Sequence, residues 1–280
     1  MKVSSSSLAI GQLSALLFSL LCCFFLLPPS GFGQAGFQRQ FGANLDESFS
    51  RVVPSGADYY VLGQGEVTDG QPARATVTRL NAQGELQWTL GLNIASVWND
   101  AVLTPSGNLL VVGRSLPADD SSFGLMGLVT AAGSFSWVRA YNLPDEDGFL
   151  RIVRSPAPQN PVFPYYVLGS HKDTGASATR IALLNLNESG TFNWKKIYTG
   201  PLFFNGDAIP HDMEALPNGD LLIAANFGAQ GVVMRTDNSG QPFNGVTPEY
   251  PFEVQDIAFG NGGNIFVVGT GFLDGKAHLM

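Results

Sequence analysis

Tyr59-Tyr60-Val61-Leu62-Gly63, Leu109-Leu110-Val111-Val112-Gly113, Tyr165-Tyr166-Val167-Leu168-Gly169, Leu221-Leu222-Ile223-Ala224-Ala225 and Ile265-Phe266-Val267-Val268-Gly269 superimpose without a gap. Their last residues lie 50, 56, 56 and 44 positions apart. A run of five mostly β-branched, aromatic or leucine residues ending on a small one reads as a buried strand. A fixed period of this size is the signature of a repeat architecture, so the repeat is settled before any local reading. A second landmark keeps the same phase: Gly84 and Trp88, Gly133 and Trp137, Gly190 and Trp194, with a degraded Gly240 and Phe243 in the fourth repeat.

Each period resolves into four short strands. In the second repeat these are 100–104, 109–114, 124–130 and 134–141. The first two are joined by Pro105-Ser106-Gly107-Asn108, with counterparts at Pro54-Ser55-Gly56 and Pro217-Asn218-Gly219-Asp220. Gly or Asn there supplies the positive φ of a tight hairpin, and Gly84, Gly133, Gly190 and Gly240 do the same between the last two strands. Up-down-up-down hairpins of this period predict an all-β fold, a β-propeller of four-stranded antiparallel blades. The expected blades are 44–92, 97–142, 147–199 and 205–249, with a partial fifth at 254–280. Residues 36–42, holding Phe37-Gln38-Arg39-Gln40-Phe41, read as an orphan outer strand. Two closures follow: that strand completes the fifth blade, or the sequence belongs to a larger propeller.

The stretch Arg79 to Trp88, with its Gly-x-x-x-Trp, resembles the repeat of PQQ-like, quinoprotein-type propellers and of secreted bacterial propeller-repeat proteins. The quinoprotein active site adds an adjacent-cysteine disulfide, a calcium site and a catalytic Asp. Both cysteines here, Cys22 and Cys23, precede the propeller region, so that site does not carry over and no cofactor is expected. The closer likeness is to noncatalytic extracellular repeat proteins.

The amino terminus carries Lys2, an apolar stretch from Leu13 to Leu27 broken only by serines and cysteines, then Pro28, Pro29 and small residues. This predicts a signal peptide over 1–33, cleaved after Gly33 or Ala35, and a secreted or cell-surface domain over 34–280. An uncleaved anchor and a lipoprotein at Cys22 or Cys23 are the alternatives. The apolar stretch is shorter than the ~20 residues of a spanning helix, so no membrane span is expected in the mature chain. The net charge of −8, with only 14% charged residues, argues against a nucleic-acid partner. A mature chain without cysteines is held by packing alone.

Direct chemistry is sparse. His171, His211 and His278 are scattered without metal-ligand spacing. No nucleophile elbow, phosphate loop or zinc motif occurs, and Asp145-Glu146-Asp147-Gly148 lacks the spacing of an EF-hand. Asp100, Asp212 and Asp256 share one register at the start of strand one, with Asp147 slightly displaced. Such carboxylates ring a channel mouth as candidate ligand groups, or they hydrogen-bond the backbone of the neighbouring blade. Trp88, Trp137, Trp194 and Phe243 are read as inter-blade packing in preference to sugar stacking. Gly63, Gly113, Gly169 and Gly269 mark the repeat. The third repeat replaces a tight hairpin with a loop holding Pro156, Pro158, Pro161 and Pro164, a natural place for a binding difference. The leading expectation is a noncatalytic extracellular module binding protein or glycan. A carbohydrate-active hydrolase or lyase with carboxylates at the channel mouth, and a structural spacer, are the alternatives.

Overall fold

The structure is a computed structural model and describes residues 47–66, 72–116, 122–141, 148–172, 178–198, 207–228, 230–243, 249–250, 252–273 and 276–279. The signal segment 1–33, the orphan strand 36–42 and Asp147 lie outside them. Every regular element among the described residues is a strand. In chain order these are β1 (Glu47–Ser55), β2 (Asp58–Gly65), β3 (Arg74–Leu80), β4 (Leu86–Leu103), β5 (Leu109–Ser115), β6 (Gly124–Val129) and β7 (Phe135–Tyr141). Next come β8 (Gly148–Arg154), β9 (Tyr165–His171), β10 (Arg180–Leu186), β11 (Phe192–Tyr198), β12 (Ala208–Ala215), β13 (Leu221–Phe227) and β14 (Gln230–Thr236). The last are β15 (Glu249–Tyr250), β16 (Glu253–Phe259), β17 (Ile265–Leu273) and β18 (Lys276–Leu279).

Pairing is antiparallel between sequential neighbours throughout, in sheets β8 to β11, β12 to β15 and β16 to β18 and a seven-stranded run β1 to β7. That run divides within β4: the strand pairs with β3 up to Ala95 and with β5 from Ser96 onward. The sequence suggests an interruption between Leu92 and Val97, whereas the backbone passes from one sheet to the next without leaving extended conformation.

All five first strands carry a β-bulge at one equivalent place, at Phe49/Arg51, Trp98/Asp100, Phe149/Arg151, Pro210/Asp212 and Val254/Asp256. The bulge turns the strand and re-aims the residue after it. It also explains the glycine that ends each sequence marker. A Cβ on Gly63 would lie 2.5 Å from the Ser48 carbonyl oxygen, and one on Gly169 2.5 Å from that of Gly148. Gly113 and Gly269 press on the Val97 and Glu253 carbonyls in the same way. The fourth repeat places Ala225 opposite Pro210 instead.

Four hydrophobic clusters fill the four junctions between consecutive sheets. Alternation along the second strand decides the sharing: Leu110 and Val112 face forward onto Tyr165 and Val167, while Tyr166 and Leu168 face forward onto Leu221 and Ile223. The two halves of the second sequence landmark meet across three of the four junctions. Trp88, Trp137 and Trp194 lie against the positive-φ glycines of the following sheet, Gly133, Gly190 and Gly240, where a Cβ would come within 2.7, 2.9 and 2.6 Å of the indole. Tyr141 and Tyr198 hydroxyls donate to the carbonyls of Gly190 and Gly240, each at 2.9 Å. Phe243 has no such cover and is 51% exposed, with Arg235 5.0 Å from its ring.

The outermost faces of the series differ from the inner ones. Phe266, equivalent to Leu110, Tyr166 and Leu222, which are at most 2% exposed, is itself 58% exposed. At the other end Phe49 and Val52, equivalent to Phe149 and Ile152, are 53% and 55% exposed.

Candidate functional site

The residues that follow the five bulges are Arg51, Asp100, Arg151, Asp212 and Asp256, one on each first strand. They form a chain of contacts running from sheet to sheet. Arg51 Nε lies 3.0 Å from Asp100 Oδ1 as an ion pair without the alignment of a hydrogen bond. Asp100 Oδ2 accepts the Ile152 N–H at 3.0 Å. Arg151 Nε donates to Asp212 Oδ1 at 2.7 Å, and Asp212 Oδ2 accepts the Ile257 N–H at 3.0 Å. The bulged residues join in: Ser50 Oγ donates to the Trp98 carbonyl at 2.7 Å and Asn99 Nδ2 to that of Phe149 at 2.6 Å.

The series thus alternates a cation-to-carboxylate junction with a carboxylate-to-backbone junction. Asp100 and Asp212 are buried, so each needs its partners to remain in place. Burial pushes the Asp100 carboxyl up, opposed by the Ile152 N–H and by Arg51. Burial also opposes ionisation of Asp212, but the hydrogen bonds from Asp256, Ile257 and Arg151 outweigh it and hold this carboxyl below its usual range. Asp256 carries the complementary shift: sharing a hydrogen bond with Asp212 raises it to about 6, with burial adding. Below that pH Asp256 is the member of the pair favoured to carry a proton, and Asp212 the one favoured to stay ionised. Glu214 is raised by burial and by the charges of Asp212 and Asp256.

Of the sequence-level candidates, the structure brings Asp212 and Asp256 together and binds Asp100 and Asp212 into the next sheet. No group of three or more His, Cys, Asp or Glu suited to a metal ion occurs among the described residues. His211, the bulged residue of β12, lies with Nε2 2.8 Å from Asn226 Nδ2, and burial lowers its pKa. His171 sits buried on β9 and far along the chain from it. Arg51 and Arg151 are the members of this series that sequence reading missed. Their signal is the register itself, since both stand two residues after the aromatic Phe49 and Phe149 in the frame that gives Asp100 after Trp98.

A different set of groups lies on the face that carries the hairpin turns. There the proline loop between β8 and β9 overhangs a cleft of about 380 Å³.

No protein-family profile and no curated protein matches the chain. Among solved structures it is similar to the Dos1 propeller, with a TM-score of 0.54 and 14% identity over 80% of this chain and 53% of that one. The fold is a β-propeller. A protein from Lactobacillus plantarum aligns as well, with a TM-score of 0.50 and 16% identity over 85% of this chain and 82% of that one. The propeller described here spans about half the length of the Dos1 chain it matches. At these identities the likeness concerns fold alone, and propellers host unrelated activities. No helix among the described residues is long and apolar enough to cross a membrane.

Proposed function

We propose that this chain is a noncatalytic, extracellular or cell-surface β-propeller that serves as a binding scaffold for glycan or protein, exported by its first 33 residues. One observation carries the noncatalytic part. The buried carboxylates of the inner-strand series are engaged by backbone N–H groups and arginines of adjoining sheets. Asp212 and Asp256 are close enough for Asp212 to raise the Asp256 carboxyl to about 6. Hydrolysis of a glycosidic bond by two carboxyl groups needs them about 5 to 9.5 Å apart, with the bond or a water between.

In this reading the strands group into four-stranded, PQQ-like blades, with β4 shared between the first two and β16 to β18 belonging to a partial fifth. The exposed Phe266 and Val268 at one end, and Phe49 and Val52 at the other, support the version in which further blades cover these faces. The test is direct. The exported chain is expected to begin after Gly33 or Ala35 by amino-terminal sequencing, and to retain a glycan or protein partner while cleaving none of a panel of polysaccharides. Turnover of any of these that Asp256→Asn abolishes refutes the noncatalytic reading.

A further inference from the structure

The proline loop is a built element. Ser155 N–H donates to the Pro164 carbonyl at 2.9 Å and Phe163 N–H to that of Asn160 at 2.9 Å, closing the loop on itself. Asn185 Nδ2 on β10 donates to the Phe163 carbonyl at 2.8 Å. The Ala157 carbonyl presses on Gly219 in the turn of the next sheet and leaves no space for a Cβ there, where φ is +90°. Several fixed pyrrolidine rings and these bonds hold the loop without help from a ligand.

Beneath it, pyrrolidine rings and Val162 form one wall, and Arg154, Tyr165 and Glu188 supply the polar groups. Glu188 is aimed by Ser106, whose Oγ donates to its Oε1 at 2.6 Å from the turn of the preceding sheet. Arg154 is exposed at the end of β8, and burial, with the charge of Glu188 adding and that of Arg154 opposing, pushes the Tyr165 hydroxyl up to about 12. The Tyr165 side chain is 1% exposed and its hydroxyl has no hydrogen-bond partner. An orphaned hydroxyl at the floor of a cleft costs about 1–3 kcal/mol, so its retention beside two charged groups needs a reason.

We propose that this cleft, on the binding reading given above, is a carbohydrate site that takes a neutral sugar ring. Its three polar groups are a fixed donor, a fixed acceptor and a hydroxyl able to be either. A sugar diol matches that set because each of its hydroxyls both donates and accepts. An anion would meet Glu188 and a net charge of −8, and a cation would meet Arg154. The C–H face of the ring lies against the pyrrolidine wall.

The test is a microarray of neutral and acidic glycans probed with the full exported chain, followed by titration of the neutral oligosaccharide best retained. Tyr165→Phe and Arg154→Gln are each expected to weaken that titration about tenfold or more. Tyr165→Phe is expected to leave the Tm unchanged or slightly raised, because the hydroxyl it removes bonds nothing in the free chain. Neutral-glycan binding that neither variant weakens overturns the cleft while leaving the binding scaffold standing. Retention of acidic glycans alone overturns the ligand class. Binding of a protein partner with no glycan retained overturns this inference alone, and binding of neither overturns the reading beneath it as well.

Discussion

Gly133→Ala should cost the propeller far more than Gly107→Ala, although the two glycines share almost the same backbone conformation. Gly107 has φ +80° and Gly133 φ +84°. Each alanine must enter the left-handed region, at about 1–2 kcal/mol. The difference lies in what the new methyl meets. At Gly107 nothing lies within 4 Å, whereas at Gly133 the Cβ would sit 2.7 Å from Cδ2 of Trp88 and 2.9 Å from Cε2 and Cγ. The contact is with the rigid centre of an indole, so either the ring or the hairpin must shift by several tenths of an ångström. Overpacking of this kind costs roughly 1–3 kcal/mol beyond the backbone penalty. With about 2–4 °C of Tm per kcal/mol for a chain of this size, Gly107→Ala should lower the Tm by roughly 3–6 °C, and Gly133→Ala by about 4–8 °C more. Thermal unfolding followed by circular dichroism measures both. Trp88→Leu should abolish most of the extra loss when combined with Gly133→Ala, a coupling that a double-mutant cycle reads directly. Equal losses at the two glycines would show that the indole does not close the junction, and the account of the second sequence marker would fall with it.

The uncovered face gives a matching comparison: Leu222→Ala should cost about 2–5 kcal/mol and Phe266→Ala under about 1 kcal/mol, both read from urea midpoints, because only the first is beneath a following sheet. Between pH 5 and 7 the Asp212–Asp256 pair should favour the acid side. Asp256 keeps its proton to about 6 in the folded chain, above the unfolded carboxyl, so its contribution is complete below the unfolded value and lost as pH rises through about 6. Asp256→Asn should raise the Tm at pH 8 and flatten the profile, with Glu214 leaving a residual slope of the same sign; a profile unchanged by the substitution refutes the shared proton. Arg151→Met should cost about 3 kcal/mol by leaving buried Asp212 without its cation, and Asp212→Asn in the same chain should restore much of it in chemical denaturation.

The propeller class was legible because two markers of different chemistry repeat in one phase, and each proves to answer a physical demand. The glycines ending the second strands admit a bulged carbonyl, and the hairpin glycines admit an indole. Strand limits are less legible: β4 runs through 86–103 because Ala95 and Ser96 bond to both sides, Ala95 pairing with Arg74 and accepting from Leu116 N–H, Ser96 pairing with Ser115 and donating its N–H to the Ala73 carbonyl, which no turn residue signals. The candidate site was legible by half. A register of aspartates stands out in a chain poor in charge, but Arg51 and Arg151 belong to it only through a bulge, and a bulge leaves no mark on composition. Sequence also places the proline loop without revealing that Ser106 and Glu188, 82 residues apart, meet beside it.

The indole of one sheet on the glycine of the next makes each of the first three junctions directional. Each repeat offers a plug on its forward side and a socket on its rear side, and no repeat can mate with itself across a twofold axis. Duplication of a whole repeat therefore creates a legitimate new joint at once, while an insertion of half a repeat separates a plug from its socket. Arrays of this kind lengthen in whole steps, and the third repeat shows where novelty is tolerated: in the turn that no neighbour's indole needs.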